Sequence, residues 1–438
     1  EIYETWSYYW NGTIILSAGG KDITGDGIAD AVFILHDEDY DYIEVYLVPG
    51  GNRFEDLQSG DFGFEIGVYL TSWPSFYDGS NQTPTDLDLG DVNGDGYADI
   101  VLGFGTDYFS GWDYDGDGEP NSTDGMVEII HGASLATLIE QEGNQTWTSF
   151  LSPLGSRDAN FGASIAVGDL NGDGYADIVI GAPYADENDA LDNNDGAIYI
   201  LYGQASLKIN TYDGLGGGAY VASDYGNSIQ YYENFSGFTD AEMGAAVTVG
   251  DFNGDGFLDY ATSLNELTLN GLDDSGVVLI ALGNSLGQPF IRVVIGGAAA
   301  NAHLGEGDGS LENLGDLNGD GRDDLGIKDA DGRFFIIWGQ ADADWPLDFD
   351  YDFNFVNDSY FLDLSLASSL DGIFASGDIL EETFNFKGVG DIDGDGYDDF
   401  FIGTPFASWV SSYSGQEYGQ GLLIYGQDSW LGEYDELN

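Results

Sequence analysis

The chain has 438 residues and a formal charge of −70, with 79 acidic residues against 9 basic ones. That balance excludes nucleic acid as a partner, because a phosphate backbone would be repelled along its whole length. No cysteine is present, so disulfides do not hold the fold, and no apolar run approaches the roughly 18 residues that a membrane span needs.

In chain order, the first marked element is an acidic nonapeptide from Asp22 to Asp30. It returns at Asp91 to Asp99, Asp169 to Asp177, Asp251 to Asp259, Asp316 to Asp324 and Asp391 to Asp399. A short apolar segment precedes each copy, as Ala163 to Val167 does the third. Another follows it, as in Asp177-Ile-Val-Ile-Gly181 and Asp399-Phe-Phe-Ile-Gly403, rich in the β-branched and aromatic residues that favour strands. Further on, each repeat carries a run apolar on both faces, such as Tyr42 to Val48, Gly196 to Gln204 and Gly276 to Asn284. The unit therefore reads as strand A, loop, strand B, a variable segment, strand C and a weakly marked strand D. Runs buried on both sides suit a sheet sandwiched between two others.

The nonapeptide follows Asp-x-Asn/Asp-Gly-Asp-Gly-x-x-Asp, with side-chain oxygens at positions 1, 3, 5 and 9 and a backbone carbonyl available at position 7. The candidate metal ligands are Asp22, Thr24, Asp26, Ile28 and Asp30 in the first loop, and Asp91, Asn93, Asp95, Tyr97 and Asp99 in the second. They are Asp169, Asn171, Asp173, Tyr175 and Asp177 in the third, and Asp251, Asn253, Asp255, Phe257 and Asp259 in the fourth. The fifth has Asp316, Asn318, Asp320, Arg322 and Asp324, and the sixth Asp391, Asp393, Asp395, Tyr397 and Asp399. Hard oxygens without His or Cys disfavour zinc and copper, and so many protein ligands suit calcium better than magnesium, which keeps its waters. An EF-hand would carry Glu at position 12; here that position is Phe33, Leu102, Ile180, Thr262, Ile327 or Ile402, so a strand follows. A single Asp/Gly cluster is usually a turn, but six in register are not explained that way.

First aspartates are spaced by 69, 78, 82, 65 and 75 residues, and the interval through the C-terminus back to Asp22 is again 69. A wrap-around interval that falls within the range of the others, with no remainder, predicts a closed ring of repeats. The third repeat has Phe161-Gly162, then Gly168 to Asp177, then Gly181-Ala182-Pro183. This resembles the FG-GAP repeat of the integrin α-subunit β-propeller and its bacterial and archaeal relatives. The fourth repeat departs with Met243-Gly244, the sixth with Gly403-Thr404-Pro405 and the first with Thr24. The expected fold is all-β: a single domain over residues 1–438, forming a six-bladed propeller of four-stranded antiparallel blades with calcium loops between strands A and B. Seven blades, as in integrins, is the alternative.

The resemblance implies that partners bind at the face opposite the calcium loops, where the B–C connections lie. One of these holds Asp113, Asp115, Asp117, Asn121 and Asp124, with the spacing of a seventh calcium site that resembles thrombospondin type-3 repeats. A looser cluster comprises Asp186, Asn188, Asp192, Asn193 and Asp195. The three histidines, His36, His131 and His303, are scattered, and no nucleophile elbow, zinc-protease helix or phosphate loop is present, so no catalytic residue is assigned. Aromatic groups at Trp6 to Trp10 and from Trp409 to Trp430 are read as parts of the closing blade or as a surface for strand addition to a neighbour.

Calcium loops that fill at extracellular ion levels, and a chain starting at Glu1 as a processed one would, predict a secreted or cell-surface protein. Six Asn-x-Ser/Thr triplets, at Asn11, Asn81, Asn121, Asn144, Asn234 and Asn357, are candidate glycan acceptors. The functional expectation is a non-catalytic structural or self-assembly subunit, with other copies of itself as partner. The alternatives are an adhesion or carbohydrate-binding module with a glycan or protein partner, and a calcium-dependent polysaccharide-active enzyme.

Overall fold

A computed structural model of the chain describes residues 12–37, 42–51, 68–74, 76–77, 80–81, 83–105, 125–141, 147–151, 159–185, 194–205, 220–221, 229–232, 241–269, 271–284, 289–307, 309–341, 360–364, 373–375, 384–404 and 420–427. Among the described residues six sheets of three or more strands, antiparallel at their centres, follow one another along the chain, and Phe76–Tyr77 pairs with Ser80–Asn81 in a small seventh. The first is built from Gly12–Lys21, Asp30–Asp37, Tyr42–Val48 and Val68–Pro74, each strand pairing with the next in sequence. The second uses Asp86–Gly90, Asp99–Phe104, Met126–Ile130 and Trp147–Leu151 in the same way. Strands A, B and C thus fall where the apolar runs put them, and every nonapeptide joins A to B.

The remaining sheets repeat the plan. The third comprises Ile165–Gly168, Asp177–Ala182, Ala197–Leu201 and Ile229–Tyr232; the fourth comprises Met243–Gly250, Asp259–Leu264, Val277–Leu282 and Phe290–Gly296. The fifth contains Leu311–Asn313, Leu325–Lys328, Phe334–Ile337 and Ile373–Ala375. The sixth has three strands among the described residues, Asn385–Gly390, Asp399–Thr404 and Gln420–Ile424. Two sheets go beyond the four-strand expectation: Tyr220–Val221 adds parallel to Trp147–Leu151, and Tyr360–Asp363 adds parallel to Phe290–Gly296. A six-residue helix, Leu135–Glu140, capped by Ser134, follows strand C of the second sheet.

The chain divides into two compact units: residues 1–162 with 202–229, and residues 163–201 with 230–438. In the first unit, Val32, Ile34, Val45 and Leu47 of the first sheet share a core with Leu87, Ile100 and Leu102 of the second. In the second unit, Ala261, Ile280 and Val293 of the fourth sheet pack with Leu325, Ile327 and Phe335 of the fifth. Phe334 and Ile336 of the fifth pack with Phe386, Phe400 and Ile402 of the sixth, the rings of Phe334 and Phe386 lying 4.5 Å apart. Strand B is buried along its whole length in the second, third and fourth sheets, the mark of a sheet covered on both faces.

The Phe-Gly pair has a geometric reason. Gly162 lies at φ +89° and a Cβ there would come 2.5 Å from the Met126 carbonyl oxygen, while Phe161 bridges Gly125 at the start of strand C in the preceding sheet. Only glycine allows that approach at that dihedral. Met243-Gly244 bridges Gly196 in the same manner, so the fourth repeat's departure keeps the glycine and exchanges one buried apolar side chain for another.

Candidate metal-binding loops

Each loop is organised by its first aspartate. In the second loop Asp91 Oδ1 accepts from the backbone N–H groups of Gly94 at 2.7 Å and Asp95 at 3.1 Å, and Oδ2 accepts from Gly96 at 2.8 Å. Asn93 Oδ1 accepts from Asp95 N–H at 2.9 Å, and Asp95 Oδ1 from Tyr97 N–H at 3.0 Å. These local bonds are the turn-forming habit of Asp and Asn, and Gly94 and Gly96 take the left-handed dihedrals that let the chain double back. The third, fifth and sixth loops reproduce the set around Asp169, Asp316 and Asp391. In the first and fourth loops Asp22 and Asp251 accept from the N–H groups at positions 5 and 6. In the sixth loop the side-chain oxygens of positions 1, 3 and 5 come together, those of Asp391, Asp393 and Asp395 lying within 4.8 Å of one another.

Position 9 is different. Asp99, Asp177, Asp259, Asp324 and Asp399 are all 0% exposed. Asp324 Oδ2 accepts from Leu317 N–H at 3.0 Å and Oδ1 from Gly339 N–H at 2.9 Å, tying the loop to the end of strand C. Asp30 is tied in the same way to Ile23 and Gly50, Asp99 to Val92 and Gly132, and Asp399 to Ile392 and Gly426. The ninth residue thus acts as a latch between the loop and two strands, and Asp399 stands outside the Asp391, Asp393 and Asp395 cluster.

Neighbouring loops touch. Within the first unit the Tyr97 ring lies on Gly25 of the first loop, and Ala98 N–H donates to the Asp22 carbonyl at 2.9 Å. Within the second unit Phe257 lies on Gly172, Arg322 on Gly254 and Tyr397 on Gly319. In these four pairs position 7 of one loop sits on position 4 of the loop before it. Two further carboxylates reinforce the contact: Asp323 Oδ2 accepts from Asp251 N–H at 2.9 Å and Asp398 Oδ2 from Asp316 N–H at 2.8 Å. Neither Asp323 nor Asp398 belongs to the ligand pattern read from sequence. A run of two aspartates at positions 8 and 9 was the available signal.

The loops fit a hard cation on their own chemistry. Asp259 Oδ2 and Thr24 Oγ1 are buried oxygens with no hydrogen-bond partner, each at a position that the spacing assigns to a ligand. Burial pushes Asp259 up to about 8, with the charges of Asp251 and Asp255 adding to the rise. Asp324 is likewise raised to about 8 by burial, with Asp320 and Asp316 adding to it. Such carboxyls are ionised at neutral pH only if a positive charge joins them. Thr24, which departs from the Asn/Asp pattern, still offers an oxygen.

His131, the end of strand C in the second sheet, places Nδ1 3.2 Å from Asp99 Oδ1 and 3.2 Å from Asn93 Nδ2. It is part of that loop's latch, a role its position in a strand did not indicate. His303 Nδ1 is 3.0 Å from Glu266 Oε1. The candidate seventh loop from Asp113 to Asp124, residues 186–193 of the looser cluster, and the aromatic groups at Trp6 to Trp10 and Trp409 to Tyr418, with Trp430, lie outside the described residues.

The model of the FG-GAP repeat matches residues 161–201 and 388–422, which contain the third and sixth loops. The chain carries integrin α-like FG-GAP repeats. It is 29% identical over 242 residues to integrin alpha-V of Gallus gallus, covering 54% of this chain and 19% of that protein. It is 33% identical over 127 residues to integrin alpha-6 of Homo sapiens and 35% identical over 128 residues to integrin alpha pat-2 of Caenorhabditis briggsae. Those two matches cover 29% and 27% of this chain and 9% of each relative. The chain thus spans a fifth or less of the length of these integrin subunits. Among the described residues no helix is long and apolar enough to cross a membrane.

Proposed function

We propose that the chain is a non-catalytic FG-GAP β-propeller of six blades, one domain over residues 1–438, stapled by calcium and working outside the cell as an adhesion module for a protein partner. The observation that supports this reading is the loop repeated six times, whose first aspartate gathers the backbone N–H groups at positions 5 and 6, whose oxygens at positions 1, 3 and 5 come together in the sixth copy, and whose position 9 ties the loop to its sheet. In each loop the side chains at positions 1, 3, 5 and 9 and the carbonyl at position 7 would hold the ion. The position-9 carboxylate can share an oxygen with a backbone N–H because each oxygen has two lone pairs. Bound calcium supplies the positive charge that three or four crowded carboxylates lack. Like charges 4 Å apart repel by ~4 kcal/mol at an effective dielectric of ~20.

The integrin α relatives favour adhesion over chemistry, and the B–C connections, which leave each sheet at the end opposite its loop, are the surface on which a partner would be held. The test is retention of immobilised chain on a panel of extracellular proteins and polysaccharides, with calcium and with EDTA. Retention on a protein that EDTA abolishes supports the reading. Retention on none of the panel by folded, calcium-loaded chain contradicts it, and turnover of any glycan would move the assignment to an enzyme.

A second reading, self-assembly, rests on the sixth sheet. Ile392, at loop position 2, is 56% exposed, whereas Ile23, Val92, Leu170, Phe252 and Leu317 at that position are 1% exposed or less. Phe401, Leu422 and Tyr425 of the same sheet are also exposed, Phe401 and Leu422 on opposite faces. This reading requires that the ring of six sheets stays open, so that a second copy of the chain covers these side chains. Native material examined by electron microscopy with and without calcium separates the readings: filaments or layers support assembly, and single particles under both conditions remove it.

A further inference from the structure

Position 7 is Ile, Tyr, Tyr, Phe and Tyr in the other five loops, and Arg322 in the fifth. A chain with only 9 basic residues has placed one of them inside a calcium-type loop. The stem of Arg322 takes the place of the aromatic ring, its Cγ lying where a Cβ on Gly254 would come within 2.9 Å. Its guanidinium then turns back onto its own loop, with Nη1 3.2 Å from Asp320 Oδ2. Asp320 Oδ1 meanwhile accepts from Arg322 N–H at 3.1 Å. Both oxygens of this position-5 carboxylate are therefore engaged by one residue. Among the described residues no other carboxylate at position 1, 3 or 5 has an ion pair.

We infer that Arg322 is a built-in competitor of the cation in the fifth loop, which makes this loop the weakest calcium site of the six. The inference rests on the calcium reading proposed above. Two effects act in the same direction. A fixed positive charge held at a ligand repels a divalent ion, and that ion must displace the guanidinium from Asp320 before it can use Oδ2. Without calcium, the same contact offsets part of the repulsion between Asp316 and Asp320, so the loop keeps its shape when empty. The fifth loop stays formed at low calcium and fills last.

The test follows amide resonances of Gly319 and Gly321 for the fifth loop, and Gly94 and Gly96 for the second, while free calcium is set with a chelator buffer. Arg322→Tyr installs the residue found in the second, third and sixth loops. It should lower the free calcium at half-filling of the fifth loop by about tenfold, equivalent to about 1.4 kcal/mol, and leave the second loop unmoved. Arg322→Gln keeps the stem without the charge and should shift the same midpoint in the same direction; it serves if the Tyr variant fails to fold. Arg322→Lys keeps the charge and should stay near the wild type. An unchanged fifth-loop midpoint in Arg322→Tyr or Arg322→Gln overturns the inference while leaving the calcium reading intact, as does a Lys variant that shifts as far as Gln. If no loop resonance responds to calcium in the wild type, the calcium reading itself falls and this inference with it.

Discussion

Tyr97 of the second loop covers Gly25 of the first so closely that a Cβ on Gly25 would lie 2.4 Å from the ring's Cε1. The same relation joins Phe257 to Gly172 and Tyr397 to Gly319. The glycine at position 4 of the nonapeptide is thus a seat for the next loop as well as a turn residue. Adjacent loops of one unit are mechanically connected, and the shape of one constrains the position of the other.

Gly25 and Gly27 both have left-handed dihedrals, φ +70° and +86°, but a Cβ on Gly27 would meet nothing within 4 Å. Gly27→Ala should therefore cost only the backbone term, about 1 kcal/mol. Gly25→Ala should cost about 2 to 3 kcal/mol, because Tyr97 must also give way. Urea unfolding in saturating calcium measures both. Equal costs would mean that the ring moves freely.

The latch and the ligands should separate by mutation. Asp324→Ala leaves the N–H group of Gly339 buried without its acceptor, removes one of the two acceptors of Leu317 N–H, and should destabilise the chain by about 1 to 3 kcal/mol, even in EDTA. Asp95→Asn keeps the local turn, since an amide oxygen can accept from Tyr97 N–H, and removes one charge from the exposed side of the second loop. Its stability in EDTA should equal or exceed that of the wild type, while its calcium affinity falls. Chemical unfolding with and without calcium checks both halves.

The buried carboxyls set a pH dependence. Asp259 and Asp324 lie near 8 in the fold against an ordinary 3.8, so each stabilises the metal-free fold while protonated. That contribution is complete below about pH 4 and is lost as pH rises through about 8. Metal-free chain should accordingly melt at a higher temperature at pH 5.5 than at pH 8.5. Calcium binds the ionised form, so saturating calcium should flatten or reverse the trend. A metal-free melt that rises between these two values would show the carboxyls to be ionised without a cation.

Asp329 and Arg333 close the short B–C turn of the fifth sheet, with Arg333 Nε 2.6 Å from Asp329 Oδ2. Burial raises the Asp329 carboxyl, and the backbone N–H and charge of Arg333 oppose the rise. Arg333→Ala should strand a buried carboxylate and lower stability by about 1 to 3 kcal/mol at pH 7, an effect that thermal melts at low pH should show shrinking as Asp329 protonates.

Much of this was legible in the sequence for a physical reason. Loop ligands sit at fixed offsets within nine residues, and runs such as Val277–Leu282 are apolar at every position because both faces are covered. Contacts that cross between sheets were not legible. That Tyr97 would lie on Gly25, or that Asp398 would accept from Asp316 N–H, depends on how one sheet is offset against the next, which local spacing does not encode. The added strands Tyr220–Val221 and Tyr360–Asp363 were missed because they arise in variable segments without periodicity. Helix Leu135–Glu140 is too short for its apolar pattern to be distinguished from a turn.

The central claim is that the six nonapeptides are calcium sites on which the fold depends. Its most direct test is the amount of calcium bound per chain after equilibrium dialysis at extracellular calcium, measured by elemental analysis on folded protein. The account predicts six ions, or seven if the loop from Asp113 to Asp124 also fills. Calcium content indistinguishable from the dialysis buffer would contradict it.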